Sequence, residues 1–257
     1  MVFFSACNPG SKQSEQEYMR VLPMEGGFNF RDLGGYKTSS GKSVKWGKVF
    51  RSDEMYNLTS SDLNYLNEIP LRTIVDFRSE KEIENAPDKK PNSVINRYEL
   101  TINPGNHSNI SNISELNSEY GEEFMKKINC SFVTDSGIID RYKTFFVLLQ
   151  DENQIPLLFH CTAGKDRTGM AAALFLASLG VDEDTIFEDY MLSNKYLEDK
   201  YQSIVDSLPA LKPLFEVRTQ YLRAGFEQIR SDHGSIENYL QNMLDVDLEH
   251  MKKLYLE

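Results

Sequence analysis

One stretch of the chain constrains its fold more than any other. Residues 155–160 (IPLLFH) are an apolar run, residues 161–169 (CTAGKDRTG) hold two glycines and three charges, and residues 170–179 (MAAALFLASL) are again apolar. A short apolar run bounded by a glycine-bearing loop reads as a buried strand, and the run after it has helical character. A buried strand, a tight loop and a helix in succession make up half of a parallel β-α unit. The rest of the first two thirds agrees. Residues 44–50, 72–77 (RTIVDF) and 93–100 read as further strands. Helices are expected after Thr59-Ser60-Ser61-Asp62, where capping residues precede Leu63, Tyr65 and Leu66, and from Asp135-Ser136 to Leu149. After Thr168 the strand signals fade, and residues 170–179, 182–197, 213–232 and 235–257 read as helices. The expected fold class is α/β: a central, mostly parallel sheet flanked by helices, with a helical C-terminal part.

Composition narrows the function. The chain has 257 residues, with 28 Lys+Arg against 39 Asp+Glu, for a net charge of −11. So acidic a surface does not grip a nucleic-acid backbone, and no nucleic-acid partner is expected. The cysteines are Cys7, Cys130 and Cys161, an odd and widely spaced set that offers neither a disulfide framework nor a zinc pair. No apolar run approaches the roughly 18 residues of a membrane helix. Residues 1–25 read as a flexible tether. Within it, Phe4-Ser5-Ala6-Cys7 is similar to the tail of a bacterial lipoprotein signal, although the basic head and most of the apolar segment are missing. Two readings stand: a lipid anchor on Cys7, which gives an envelope protein, or a plain cytoplasmic N-terminus. Residues 26–257 read as one domain and as a monomer, with the Asn/Ser-rich segment 103–119 as a long surface loop or weak lid.

The chemistry sits in the loop. Its successive main-chain N–H groups, from Thr162 and Ala163 through Gly164 to Thr168, can curl inward as an anion nest, with a helix N-terminus adding partial positive charge. Gly164 permits a backbone angle that a side chain resists, and Gly169 lets the first helical turn pack closely. Cys161 stands at the root of the nest. A free thiol has a pKa of about 8.5, and a helix N-terminus with cations nearby brings it to roughly 3.5–7.5, where the nucleophilic thiolate dominates. Arg167 can hold two phosphate oxygens bidentately. Thr168 can donate its hydroxyl to the sulfur, and His160 orients the loop through main-chain hydrogen bonds. A buried cysteine at a strand end often only packs; a cysteine, five residues, then Arg-Thr on a strand-loop-helix frame points to phosphoryl chemistry instead.

These residues resemble a known family. His160-Cys161-x5-Arg167-Thr168 is similar to the signature loop of cysteine-dependent protein tyrosine phosphatases. In its full form, HCTAGKDRTG resembles the bacterial branch that includes secreted mycobacterial and listerial tyrosine and phosphoinositide phosphatases. Residues 29–36 (NFRDLGGY) resemble that branch's N-terminal box, with weaker matches at 49–53, 75–80 and 189–194. The resemblance implies a tyrosine or dual-specificity phosphatase-like fold and attack of Cys161 on a phosphomonoester. It also implies a phosphorylated protein or a phosphoinositide as substrate. For the acid it implies Asp166, inside the loop. Asp76, at a strand end beside the loop, is the rival acid or a partner fixing Arg167. Lys165 is either a second cation for a polyphosphorylated inositol ring or the neutraliser of Asp166. Arg31 and Asp32 are expected as an ion pair bracing the rim, with Gly34-Gly35 as a tight turn. No metal site, dinucleotide fingerprint or Walker loop is present, so no cofactor is implied. Two other functions compete: a catalytically silent phosphate-binding module, and a sulfur transferase of the rhodanese type.

Overall fold

The computed structural model describes residues 19–103 and 118–257. Cys7 and its tether up to residue 18, and residues 104–117 of the expected surface loop, lie outside the described residues. The sheet has the strand order β1-β2-β5-β3-β4, with β1 Arg31–Asp32, β2 Val49–Ser52, β3 Thr73–Asp76, β4 Asn96–Glu99 and β5 Leu157–His160. All neighbours pair in parallel except β1, which runs antiparallel to β2 at one edge. β5 is the middle strand, as the most apolar run should be. Its side chains alternate: Leu157 and Phe159 enter a large core on one face, and Leu158 joins Phe50 and Ile74 in a smaller core on the other.

Register sets the position of the site. Ser52 of β2 and Asp76 of β3 both lie level with His160 of β5, so three strands end together beneath residue 161. Ligands of open parallel sheets bind beyond such strand ends.

The helices among the described residues are α1 Ser60–Glu68, α2 Glu80–Asn85, α3 Ser118–Thr134, α4 Ser136–Leu149, α5 Arg167–Ser178, α6 Glu183–Tyr196, α7 Glu198–Ser207, α8 Lys212–Phe215, α9 Thr219–His233, α10 Ile236–Asn242 and α11 Leu248–Tyr255. Local chemistry starts several of them. Thr59 with Asp62, and Ser79 with Glu82, form capping boxes on α1 and α2, and Asp135 and Asp182 cap α4 and α6. α5 is buried along nearly its whole length, between the sheet and α6, α10 and α11. No described helix is long and apolar enough to cross a membrane.

Several expected boundaries shift. The run 44–50 is split by a turn at Trp46-Gly47, so only its end joins the sheet, while Val44 makes a single bridge to Leu256. The expected helix over 213–232 divides into α8 and α9 at an extended Glu216. Ser118 and Glu119, expected in the loop, open α3, and α3 supplies Met125, Ile128, Phe132 and Val133 to the large core. Phe159 meets Phe77 and Phe145 at ring-centroid distances of 6.1 and 4.8 Å, joining β5 to the end of β3 and to α4. Phe159→Ala should therefore cost about 3–5 kcal/mol of stability in urea unfolding.

Candidate active site

The loop from Cys161 to Asp166 bridges the end of β5 and the start of α5. Cys161 is 2% exposed and lies at the floor of the loop rather than on its rim. Every carbonyl from 161 to 164 has a partner. His160 Nδ1 lies 3.3 Å from the Cys161 oxygen. The Thr162 oxygen accepts from the Glu54 N–H at 3.3 Å and from Lys200 Nζ at 3.4 Å. Asn29 Nδ2 donates to the oxygens of Ala163 and Gly164, both at 3.0 Å, and Arg51 Nη2 donates to the Gly164 oxygen at 2.7 Å. The main-chain N–H groups of residues 162–166, by contrast, meet no protein acceptor among the described residues. Carbonyls tied outward leave N–H groups turned inward, and that is the polarity of an anion nest.

Gly164 makes the turn feasible for two reasons. Its φ is +65°, and a Cβ there would stand 2.1 Å from the Ser52 carbonyl oxygen. Gly169 is similarly confined, since a Cβ would meet the Tyr190 ring at 2.8 Å.

Behind the loop lies a buried charge cluster. Asp189 of α6 accepts from Arg31 Nε at 3.0 Å and from Arg51 Nη1 at 2.7 Å, and from the Tyr36 hydroxyl at 2.9 Å. Burial opposes the Asp189 charge, but the two guanidiniums outweigh it and hold the carboxyl well below the usual carboxylate range. Burial and the nearby Arg31 push the Arg51 pKa down to about 10. Arg31 also donates to Asn29 Oδ1, which orients the amide that holds the loop.

Arg167 begins α5. Its Nη1 and Nη2 engage Glu82 at 2.9 and 2.7 Å, and Glu82 also accepts from the Thr162 hydroxyl at 2.5 Å. Glu82 takes the outer edge of the guanidinium and leaves Nε and the second Nη2 hydrogen for another anion. Burial works against the Arg167 cation, yet the bonds and charge of Glu82 hold its pKa above the ordinary arginine value. The Tyr142 hydroxyl fixes the Arg167 carbonyl at 2.8 Å.

Three expected relationships are different in the structure. Arg31 and Asp32 do not pair with each other. They are strand neighbours and point to opposite faces, so Arg31 reaches Asp189 while Asp32 accepts from the N–H groups of Gly34 and Gly47 at 2.7 and 2.6 Å. Asp76 does not hold Arg167; it is fully buried and bound by Arg78 and Arg97 at 2.8 and 3.2 Å, and Glu82 takes the bracing position. The Thr168 hydroxyl is buried and makes no hydrogen bond among the described residues, to the sulfur or otherwise. Lys165, also buried, stands in one of its two expected places, with Nζ 2.9 and 2.8 Å from the two Asp166 oxygens and 3.5 Å from the Glu216 carbonyl. Cys130 is remote in role, with its thiol against the Ala224 carbonyl at 3.6 Å.

The residues that support the loop but were not singled out from sequence are Arg51, Glu82, Asp189 and Lys200. Glu82 carried a signal: a Ser-x-x-Glu capping box immediately after a strand. Lys200, on α7, joins the loop to Asp53 at 2.7 Å and Glu54 at 3.3 Å, so α7 is fastened directly beside the cup. The isolated sequence offers nothing that places Lys200 there.

A cup with inward N–H groups, a thiol at its floor and a braced arginine at its wall suits a tetrahedral dianion. The chain belongs to the tyrosine phosphatase family, whose model matches residues 22–257, and it is a phosphatase-class enzyme. Among individual relatives it is 33% identical over 239 residues to a Cupriavidus necator protein named as a tyrosine-protein phosphatase, covering 89% of this chain and 85% of that one. It is 26% identical over 266 residues to the triple specificity protein phosphatase PtpB of Mycobacterium tuberculosis, covering 87% of this chain and 94% of that one. The core catalytic domain of the phosphatase Siw14 from S. cerevisiae is a distant structural likeness, at TM-score 0.37 and 16% identity, covering 74% of this chain and 97% of that one.

Two predictions follow from the bracing. Gly164→Ala should lower kcat/KM by at least about 100-fold, since displacing a reacting group by about 1 Å is enough for that; steady-state assay of the purified variant checks it. Asp189→Asn leaves two buried guanidiniums short of countercharge and should cost about 3–5 kcal/mol. Because the native pKa is depressed, wild type keeps this advantage above the unfolded carboxylate value of about 4 and loses it as pH falls further. Urea titrations of both proteins from pH 7 to pH 3 should show the gap closing.

Proposed function

We propose that the protein is a metal-independent phosphomonoester hydrolase that works through a cysteinyl-phosphate intermediate on Cys161. Phosphotyrosine proteins are the main substrates in this reading, with phosphoserine, phosphothreonine and phosphoinositide esters accepted as well. The observation that carries it is the polarity of the loop: carbonyls tied outward, N–H groups inward, and the Cys161 thiol on the floor.

In this reading the Cys161 thiolate attacks phosphorus, a sulfur–phosphorus bond forms and the ester phosphorus–oxygen bond breaks. The leaving oxygen takes a proton from Asp166. Water then attacks the phosphocysteine and gives its proton back to Asp166, releasing inorganic phosphate and the thiolate. The inward N–H groups and Arg167 hold the three non-bridging oxygens while charge develops on them. The buried Thr168 hydroxyl has no partner among the described residues and a hydrogen to donate, which suits it to stabilise the departing thiolate. Asp76 is less suited to the acid role, because Arg78 and Arg97 already claim its carboxylate.

Lys165 bears on substrate choice. An Asp166 that donates a proton is neutral and has no charge with which to hold Lys165. The lysine therefore changes partners before the leaving oxygen departs, and a second phosphate on the substrate is a fitting one. This supports activity on phosphoinositides, and it favours a second reading in which such lipids are the principal substrates. The triple specificity named for the mycobacterial relative supports breadth rather than a single substrate.

Three variants test the proposal. Cys161→Ser should reduce turnover by more than about 1,000-fold, as removal of a catalytic nucleophile does, while still binding vanadate; activity above that floor contradicts covalent catalysis. Asp166→Asn should slow alkyl phosphates more than aryl phosphates, because a phenolate leaves more readily without a proton, and equal losses on both would remove Asp166 from the acid role. Lys165→Ala, assayed on phosphotyrosine peptides and phosphoinositides, should depress the second class more; an unchanged ratio removes the support for lipid substrates.

A further inference from the structure

His160 has acceptors on both sides. Its Nδ1 faces the Cys161 carbonyl at 3.3 Å, and its Nε2 faces the Asp88 carboxylate at 3.3 Å and the Asp76 carboxylate at 3.8 Å. The Nε2 approaches are not aligned as hydrogen bonds and are charge contacts, which favour the imidazolium over the neutral ring. The surroundings supply the countercharge. Asp76 on β3 and the Asp88 side chain beyond α2 are buried, and between them lies one fully buried guanidinium, Arg78, at 2.8 and 2.7 Å. Arg97 of β4 is 28% exposed and touches both carboxylates, and Glu54 approaches Arg78 at 3.8 Å. Arg97 is partly exposed and its charge is screened by water, so the two buried carboxylates still turn a negative potential towards His160. The Asp76, Asp88 and His160 ligand atoms lie within 4.8 Å of one another, but the arginines already share those carboxylate oxygens, so the set is an ion-pair network rather than a cation site.

We infer that Asp88 is a positioning residue for the nucleophile: its carboxylate keeps His160 as an imidazolium, which holds the Cys161 carbonyl outward and places a fixed positive charge next to the thiolate. Asp88 lies outside every motif of the site. It is held in place independently, since its Oδ1 accepts the Met55 N–H at 2.9 Å. The titration directions agree with this geometry. Burial pulls the His160 pKa down, but Asp76 and Asp88 more than offset it. Burial pushes the Asp88 pKa up, and His160 and Arg78 overcome that and hold it low.

The inference rests on the nucleophilic role proposed for Cys161, and alkylation separates the two. Rates of Cys161 modification by iodoacetamide, measured against pH on the full chain, report the thiolate without any turnover. Asp88→Asn keeps the shape and the acceptor for Met55 but removes the charge. Its alkylation midpoint should rise by about one pH unit, a tenfold slower reaction on the acid limb, with the alkaline plateau unchanged. Asp88→Glu should restore most of the wild-type midpoint, and adding Asp88→Asn to His160→Gln should produce no further shift. Asp88→Ser, which leaves room for a water, serves in the same assay if the asparagine variant does not fold. A folded Asp88 variant with the wild-type midpoint, or additive shifts in the double variant, overturns the inference. A wild-type Cys161 that titrates like a free thiol overturns the nucleophilic reading instead.

Discussion

The structure depends on which way six peptide units face. A loop that is to surround an anion has to present N–H groups to it and send its carbonyls elsewhere, and a short glycine-bearing loop left to itself has no reason to choose. Here the choice is imposed from outside. Asn29, Arg51, Lys200 and the Glu54 N–H take the carbonyls of residues 162–164. Arg51 and Asn29 can do so only because Asp189 and Arg31 fix them in turn. Such a buried network is expensive to desolvate and gives little net stability. Its return is geometric: a cup preorganised before any ligand arrives.

A second layer rests on the corner between β3 and α2. The strand ends at Asp76, the chain turns through Phe77 and Arg78, and a capping box starts a helix of under two turns. That compact corner delivers two functions. Glu82 caps its own helix and braces Arg167 with the same carboxylate, while Arg78 ties Asp76 to Asp88 behind His160. Local helix chemistry and site geometry are therefore satisfied by one side chain, which makes Glu82 a junction rather than a simple surface acid.

Much of this was legible in the residues. The apolar run ending at His160 is the central strand, buried on both faces like its two neighbours β2 and β3. The strand-loop-helix frame and the turn at Gly164 were legible from the spacing of Cys161, Gly164 and Arg167. What could not be read was partnership across the sheet. Arg31 next to Asp32 in sequence suggested a pair, but strand alternation separates them and delivers Arg31 to Asp189, which is 158 residues away. Asp76 at a strand end suggested a hold on Arg167, yet the nearer Arg78 claims it. The run at 44–50 is apolar enough for a longer strand, and a glycine turn cuts it short. In each case a tertiary contact decided between local options of similar merit, and single-sequence reasoning has no access to that contact.

The amide of Asn29 meets the loop across 134 residues, and Arg51 meets it across 113. Contacts so far apart in sequence form late, after the intervening chain has been ordered. As the polypeptide leaves the ribosome, the thiol loop emerges before Asp189 on α6, so a nascent chain holds the loop without the scaffold that shapes its surroundings. The cup is thus complete only when the N-terminal edge of the sheet and α6 have met, and a truncated product that lacks either end lacks the contacts that orient the loop.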